Sequence, residues 1–571
     1  MRMQFVDQHS TTQDTSRLRE VLWLSLIVVL GLCLRLDEAH FHHTALSLMG
    51  MVPEDDSFMY QPLYPMFLAG VYSVFGVHMD LVRHLQLFIG LGTILVFYGL
   101  GRELGGRTVG RLSALGAAAY GPLIFFEGQL LAPGLVVPLV TAAIWAFLRA
   151  ERRKRMWPLL LAGVLIGLAL MGRPNLLFLL PAAGLWWLFK TTGWRLRFLG
   201  MVLALAGLTL GLLPSWIHNA VRGQAFTPIS TSGGHSFFLG NNPKATGRFH
   251  VPSGQRINDG SHSAYWQSLR ALAEEASGRS LDAAEVSNYW YGRGLDFWHQ
   301  HPGQAISLLG KKFLLGVNSE EMPIHNPYFV VERIVPVLSW LFRFSLIFSF
   351  ALVGGILGWR TSRGAGLLVL CAGVYLAGLM VFYVADRYRL QLLPMLLPLA
   401  ALGVVALREK FREKSIREVG PWLLVLAMAF ALTQVPTISL EAKQRGLVSS
   451  YNRMGKAEGD KGHLHRAAHW FRQALAIAGP GQASRVKGNL GLVAEKQGQL
   501  ENAEDWYRQA AKADEENRFV RYKLARFSEK RGAWQDALGW LRQVERLEAD
   551  PSRVRRAIEI IEKRLSSQES Q

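Results

Sequence analysis

"WPLLLAGVLIGLALMGRPNLLFLLPAAGLWWLFK" (157–190) sets two apolar runs end to end, and the only charge between its first residue and Phe189 is Arg173. Gly172, Pro174 and Asn175 break any continuous helix there, because proline cannot extend one and the Gly-Arg-Pro-Asn order favours a turn. Each run has close to the roughly 17–25 apolar residues that carry an α-helix through a hydrocarbon core. The stretch therefore reads as two membrane helices joined by a tight turn, with Arg173 at the surface where the chain reverses.

Working outward, the same criterion finds about eleven such runs. They lie near 20–36, 84–101, 109–126, 130–148, 156–172, 174–190, 196–216, 334–358, 364–384, 389–407 and 419–437. Half of the 571 residues are hydrophobic, and they come in long blocks, not in the short stripes of a soluble core. The expected fold class is an all-α polytopic membrane protein. The net charge of +19 does not point to nucleic acid, since many basic residues fall in alternate short turns. Arg102, Arg107 and Arg111 are one set, Arg152, Arg153, Lys154 and Arg155 a second, and Arg408, Lys410 and Arg412 a third. That pattern sets orientation in a bilayer and puts these turns in the cytoplasm. Cys33 and Cys371 both sit in apolar blocks, which excludes a disulfide framework and thiol chemistry. Residues 1–19 read as a cytoplasmic tail and the first run as a retained span, because no small-residue cleavage pattern precedes it.

The opposite, outer side receives 37–83, a turn around Glu127, the Arg173 turn, the segment 217–333, the Asp386-Arg-Tyr-Arg389 turn and everything after Val435. In a bacterium that side is the periplasm. Segment 217–333 contains "STSGGHSFFLGNNPKATGRF" (230–249), a series of turn signals. It reads as a folded extracytoplasmic insert whose part 263–316 has helical spacing of Trp, Leu and Phe. After the membrane domain (20–440), "GHLHRAAHWFRQAL" (462–475), "GQLENAEDWYRQAA" (498–511) and "GAWQDALGWLRQVE" (532–545) repeat one pattern at the period of a tetratricopeptide helix pair. Residues 445–566 are thus an α-solenoid, expected on the outer side. Ala467, Ala503 and Ala537 let the helices approach, and Trp470, Trp506 and Trp540 fill the seams.

Charged residues gather on the outer face: Asp37 and Glu38 after the first run, Glu54, Asp55 and Asp56 in the same loop, Glu127, Arg173, Arg387 and Arg389, with Lys311 and Lys312 near the end of the insert. Such a set suits displacement of a lipid phosphate from a sugar. The phosphate leaves readily and needs positive charge, whereas the attacking hydroxyl needs a base. Arginine forks fit phosphate oxygens. Plainer readings stand beside these. A carboxylate pair costs little at an interface, and Glu54–Asp56 suit the start of a solvated helix. Glu127 could cap a following helix. Arg173 serves lipid anchoring or phosphate equally well, and Lys312 headgroups or phosphate. For Arg387 and Arg389 the plain reading is snorkelling, but paired arginines in a short outer turn run against the orientation rule and argue for an anionic partner. His40, His42 and His43 have zinc-like spacing without a second ligand cluster.

"LDEAHF" (36–41) resembles the Asp-Glu motif after the first span of protein O-mannosyltransferases, and "YQPLYPMFLAG" (60–70) resembles the stretch leading those enzymes into their second span. "DRYRLQLLPMLLPLA" (386–400) resembles the Arg-Tyr-Leu-Pro segment late in the membrane domain of the GT-C glycosyltransferases of family 39 and their bacterial relatives, and "GGHSFFLGNNPKATG" (233–247) with the repeat tail resembles a bacterial branch. The resemblance covers most of 20–410. It implies a GT-C-like bundle and an inverting transferase that moves sugar from a polyprenyl-phosphate donor to an acceptor hydroxyl, in protein glycosylation or a related reaction, at the periplasmic face of a bacterial inner membrane. By position it implies Asp37 as the base, with Glu38 second. Arg387, Tyr388, Arg389, Arg173 and Lys312 would hold the donor, and Glu127, Asp55 and Asp56 would be secondary acids. The stretch Glu54–Tyr60 lacks the His-Pro-Pro of the eukaryotic mannosyltransferases, so the sugar stays open. No cofactor is required, and room is left for a divalent metal. The expected partners are the lipid-linked sugar, membrane lipids and an acceptor protein or glycan recruited by the repeats, with no nucleic acid. Two other readings remain: a ligase or polymerase using diphosphate-linked glycans, which needs no acid pair after the first span, and a membrane-anchored repeat scaffold, for which so many spans are excessive.

Overall fold

A computed structural model describes residues 37–51, 60–221, 229–250, 262–324, 327–413, 416–548 and 551–569. Apart from two isolated bridges, Tyr120 with Phe342 and Arg248 with Val384, the regular structure among these residues is helical. The chain divides into two compact units, Met1–Thr437 and Ile438–Gln571.

The expectation of about eleven spans is corrected. Among the described residues five helices are long and apolar enough to cross a membrane: Met79–Ala118, Pro133–Arg153, Trp194–Val221, Gly364–Val381 and Asp386–Arg412. Four more are apolar but shorter: Leu63–Phe75, Trp157–Gly172, Phe344–Trp359 and Glu418–Thr433. Counting apolar residues overestimates spans because it does not register breaks in the backbone. The run at 174–190 opens as a 3-10 turn, Pro174–Phe178, and is α-helical only over Leu179–Lys190. Pro336 and its 3-10 turn divide the run at 334–358. The runs at 84–101 and 109–126 are separate helices within Met79–Ala118, divided where Gly105 and Gly106 leave helical geometry, Gly106 with φ 84°, a backbone state that costs glycine little. The second folds back on the first, so that a Cβ on Gly110 would stand 2.8 Å from the Tyr98 carbonyl oxygen, and it stops at Ala118 before the short helix Gly121–Glu127. The run expected at 20–36 lies outside the described residues.

The opening stretch shows what pulls these helices together. Gly163 and Gly167 on Trp157–Gly172 face Gly207 and Gly211 on Trp194–Val221 so closely that a Cβ on Gly207 would stand 2.1 Å from the Leu160 carbonyl oxygen. Small residues four apart allow this backbone approach, which replaces the hydrophobic drive that lipid removes. A continuous core then runs through the bundle, including Phe97, Leu100, Val136, Val140, Tyr375 and Leu393.

The insert contributes helices Gly233–Gly240, His262–Ser277, Ala283–Gln300 and Pro302–Val317, the last three over the stretch read as helical. Asp282 and Glu285 form a reciprocal capping box at the start of Ala283–Gln300. Leu269, Ala273, Leu281, Val286 and Trp290 make its small core.

In the second unit helices pair in sequence from Leu440–Asp460 to Ser552–Glu569. Gly462, Gly498 and Gly532, the first residue of each repeat motif, all have positive φ. Ala467, Ala503 and Ala537 are fully buried. Trp506 and Trp540 each pack against two successive core clusters, as seam residues should. Trp470 stacks obliquely on Tyr451, ring centres 5.7 Å apart.

Candidate functional site

The Asp386-Arg-Tyr-Arg389 turn is a single helical turn, Asp386–Arg389, that runs through Leu390–Leu392 into Leu393–Glu413. Its entry is fixed from three directions. Asp386 N donates to the Met322 carbonyl at 2.9 Å, Val384 N to that of Gly247 at 2.9 Å, and Asp386 Oδ1 accepts from Arg387 N at 2.7 Å. Residues two apart on a helix point roughly 200° apart. Arg387 and Arg389, read from sequence as a pair for one phosphate, accordingly find different surroundings.

Arg389 turns into the protein. Its Nη2 lies 2.6 Å from Glu321 Oε1, its Nη1 donates to the Asn318 carbonyl, and its guanidinium covers the Phe344 ring at 4.1 Å. Tyr120 Oη donates to the same Glu321 oxygen at 3.1 Å. Neither partner of the ion pair has more than 7% of its side chain exposed. The Asn318-Ser-Glu-Glu321 segment is held in turn by the end of the last apolar helix: Ser319 N donates to the Thr433 carbonyl and Asn318 Nδ2 to that of Val435.

Arg387 keeps to the other side, 5.6 Å from the centre of the Tyr388 ring, and Arg173 reaches the same ring at 4.8 Å. Arg173 caps Trp157–Gly172 and is 4% exposed. Tyr388 is oriented by its own bonds: its Oη lies 3.0 Å from Tyr383 Oη, and its carbonyl accepts from Tyr375 Oη at 3.0 Å. Three residues chosen from sequence, Arg173, Arg387 and Tyr388, thus meet, while Arg389 has a carboxylate of its own.

Lys312 lies elsewhere. Fully buried, it donates to Asn241 Oδ1 at 3.1 Å, the oxygen that also accepts from Trp298 Nε1. Asn241 Nδ2 in turn donates to the Val381 carbonyl at 2.7 Å, so Lys312 props the segment that enters the Asp386 turn from behind. Burial pulls its ammonium down to about 7.

Glu127 ends the helix Gly121–Glu127, whose N-cap is Tyr120. One short helix, about 10 Å long, therefore links the Glu321 ion pair to this carboxyl. Burial pushes Glu127 up to about 7. Its carboxyl occupies the space a side chain at position 90 would take, since a Cβ on Gly90 would lie 2.5 Å from Oε2. Gln86 braces the turn: its Nε2 donates to the Gln129 carbonyl at 2.8 Å and its Oε1 accepts from Tyr64 Oη at 2.7 Å.

Asp37 and Glu38 form the first turn of the helix Asp37–Leu48, and the placement of their side chains lies outside the described residues. So do Glu54, Asp55 and Asp56. The helix is tied to the Tyr64 network, with the Phe41 and Tyr64 rings 5.5 Å apart and His42 Nδ1 3.1 Å from Tyr72 Oη. Tyr60 Oη accepts from Trp266 Nε1 at 2.8 Å and so joins the first loop to the insert. Among the described residues no three His, Cys, Asp or Glu side chains converge to hold a metal.

Sequence reasoning gave no role to Tyr120, Gln86, Tyr375, Tyr383 or Glu321. For Glu321 the available signal was a carboxylate in the segment 217–333, expected on the same side as the two arginines. For the tyrosines there was none, since a tyrosine in an apolar run reads as an interfacial ring.

Residues 59–218 match a family described as dolichyl-phosphate-mannose-protein mannosyltransferase, and 484–517 match a tetratricopeptide repeat. No curated protein matches the chain. Among solved structures it is similar to the Archaeoglobus fulgidus oligosaccharyltransferase in its apo form, at 14% identity over 84% of this chain and 68% of that one, with a TM-score of 0.39. The archaeal oligosaccharyltransferase AglB from the same organism, in complex with an inhibitory peptide and a dolichol-phosphate, is 15% identical over the same shares, with a TM-score of 0.40.

Proposed function

We propose that the chain is an inverting glycosyltransferase of GT-C type that moves a sugar from a polyprenyl monophosphate to an acceptor hydroxyl. The observation that carries this reading is the convergence of the Arg173 and Arg387 guanidinium groups on the Tyr388 ring. Two fork-shaped cations within 6 Å of the centre of one ring suit a phosphate that gains charge as it leaves. The matched region 59–218 contains both Glu127 and Arg173, and the family it matches is named for transfer of mannose from a lipid phosphate.

In the proposed step the acceptor oxygen attacks the anomeric carbon from the face opposite the phosphate. The carbon–oxygen bond to the phosphate breaks, its electron pair stays with the departing polyprenyl phosphate, and Arg173 and Arg387 stabilise that charge. The acceptor proton passes to the Asp37 carboxylate, with Glu38 as its neighbour in the same helical turn. Glu127 serves as a secondary acid, Arg389 positions the Asp386 turn through Glu321, and Lys312 supports the same turn through Asn241. In a bacterium the basic turns face the cytoplasm, and this chemistry occurs at the periplasmic surface of the inner membrane. The repeat array recruits a protein or glycan acceptor.

The test is transfer by the purified full-length protein from a polyprenyl-phosphate sugar to a small acceptor, with mass spectrometry of the lipid that co-purifies. A monophosphate-linked sugar is expected. Asp37→Asn should abolish transfer, and Arg173→Ala or Arg387→Ala should raise the donor KM more than the acceptor KM. Transfer that survives in Asp37→Asn removes that residue as base. A co-purifying diphosphate-linked glycan favours the ligase reading instead.

A further inference from the structure

A second concavity lies among the helices of the opening stretch. Pro133–Arg153, Trp157–Gly172, Leu179–Lys190 and Trp194–Val221 surround a cavity of about 150 Å3 with almost wholly apolar walls, among them Phe147, Leu159, Trp187, Met201, Leu208 and Cys371. Its origin is the glycine contact described above. Trp194–Val221 is held backbone to backbone against Trp157–Gly172 and meets Leu179–Lys190 at Trp187, where a Cβ on Gly200 would stand 2.5 Å from the indole. Gly184 leaves that wall bare, and a Cβ there would meet nothing nearer than Met201 Cε at 3.7 Å.

The cavity is half open, and its lining residue Leu205 is 55% exposed on the lipid-facing side of the bundle. An apolar cavity of this size holds no ordered water and accepts hydrocarbon. The lining runs from Leu159 to Ile166 on one helix and from Gly200 to Leu208 on its neighbour, toward the ends that carry the basic turns and away from Arg173.

The turn that follows the lining residue Trp187 and precedes the lining residue Gly200 is strongly basic, with Lys190, Arg195 and Arg197. Trp187 Nε1 donates to the Arg197 carbonyl at 3.3 Å, and Arg197 Nε donates to the Thr191 carbonyl at 2.8 Å, which holds that cation across the turn joining the two helices. Lys190 stands 5.0 Å from the Trp186 ring, next to Trp187, and Arg195 is exposed beside them. The carboxylate bonded at this end is Glu151, which accepts from Trp186 Nε1 at 3.3 Å. An apolar slot that adjoins a cationic turn is complementary to a lipid with an anionic headgroup, to which each basic residue near the surface contributes attraction.

We propose that this slot seats an acyl chain of an anionic phospholipid from the leaflet faced by the basic turns, with the headgroup against Lys190, Arg195 and Arg197. The site is separate from the Arg173–Arg387–Tyr388 group and does not depend on the reaction assigned to it.

The full-length protein, stripped of lipid in detergent, is tested by thermal unfolding with phosphatidylglycerol, phosphatidylcholine or polyprenyl phosphate added. Phosphatidylglycerol should raise the unfolding temperature by several degrees more than phosphatidylcholine. Gly184→Leu, which fills the slot, should remove that difference, and Gly184→Ala should keep it. Should Gly184→Leu not fold, Lys190→Gln combined with Arg197→Gln serves as the second arm: it leaves the cavity intact and should make the two phospholipids equivalent. Equal effects of the two phospholipids on the unaltered protein overturn the proposal. So does a headgroup preference that survives in Gly184→Leu or in the double charge variant. Displacement of phosphatidylglycerol by polyprenyl phosphate assigns the slot to a donor tail and likewise overturns it.

Discussion

Two ion pairs, one from each unit, hold charge in opposite ways. In the first unit, Glu321 and Arg389 form an ion pair with almost no exposed surface, to which Tyr120 and the Asn318 carbonyl also bond. In the second, ion pairs edge the solenoid, as between Arg508 and Glu504, where the arginine side chain is 64% exposed. Water screens the second kind and tolerates its loss. The first is costly to break, because removing one partner strands the other in a medium that cannot solvate it. The same interaction type is therefore structural at Glu321–Arg389 and marginal at Glu504–Arg508.

The sharpest way to break this contrast is Glu321→Ala. Stranding the Arg389 guanidinium should cost about 3–5 kcal/mol, read as a loss of thermal stability in detergent. Glu321→Leu with Arg389→Met removes both charges and should recover most of that loss. Equal damage from the single and double variants would show that burial of the pair is not the cause.

Glu127 comes next: it is buried, and among the described residues no arginine forms an ion pair with it as Arg389 does with Glu321. Its folded carboxyl titrates near 7 and the unfolded one near 4.5. Below about 4.5 both states are protonated and the group is neutral to stability. As pH rises from 4.5 to 7 the unfolded chain ionises first, so stability falls, by on the order of 3 kcal/mol at most, and the loss is complete above 7. Glu127→Gln should flatten this slope between pH 4 and 8 in thermal unfolding. An unchanged slope would assign the pH response to other groups.

The smallest effect is expected in the solenoid. Arg508→Ala removes an exposed partner of Glu504 that Arg531 also serves, and should shift stability by less than about 1 kcal/mol. A larger loss would mean that this rim is organised like the buried pair.

Much of the fold was legible in the sequence because its signals are local. Apolar blocks mark helices for lipid, basic turns set their direction, and the Gly, Ala and Trp of the repeats recur at fixed spacing; the structure gives those glycines positive φ and buries those alanines. Local signals failed at interruptions, where Pro174 and Pro336 cut apolar runs short of a span. They failed again within the site. Arg387 and Arg389 look equivalent in "DRYR", yet a helical turn sends one toward Arg173 and the other toward Glu321.

The sequence alone determined the class of the molecule, the position of its repeat array and the residue types available for chemistry, because hydropathy and repeat period are written along the chain. Only the tertiary structure decided which of the charged side chains come together. Pairing of Glu321 with Arg389, convergence of Arg173 and Arg387 on Tyr388, and the room Gly90 leaves for Glu127 all join residues from separate helices. In a poorly solvating interior, a charge's consequence is set by its nearest partner in space, and its neighbours in sequence do not specify that partner.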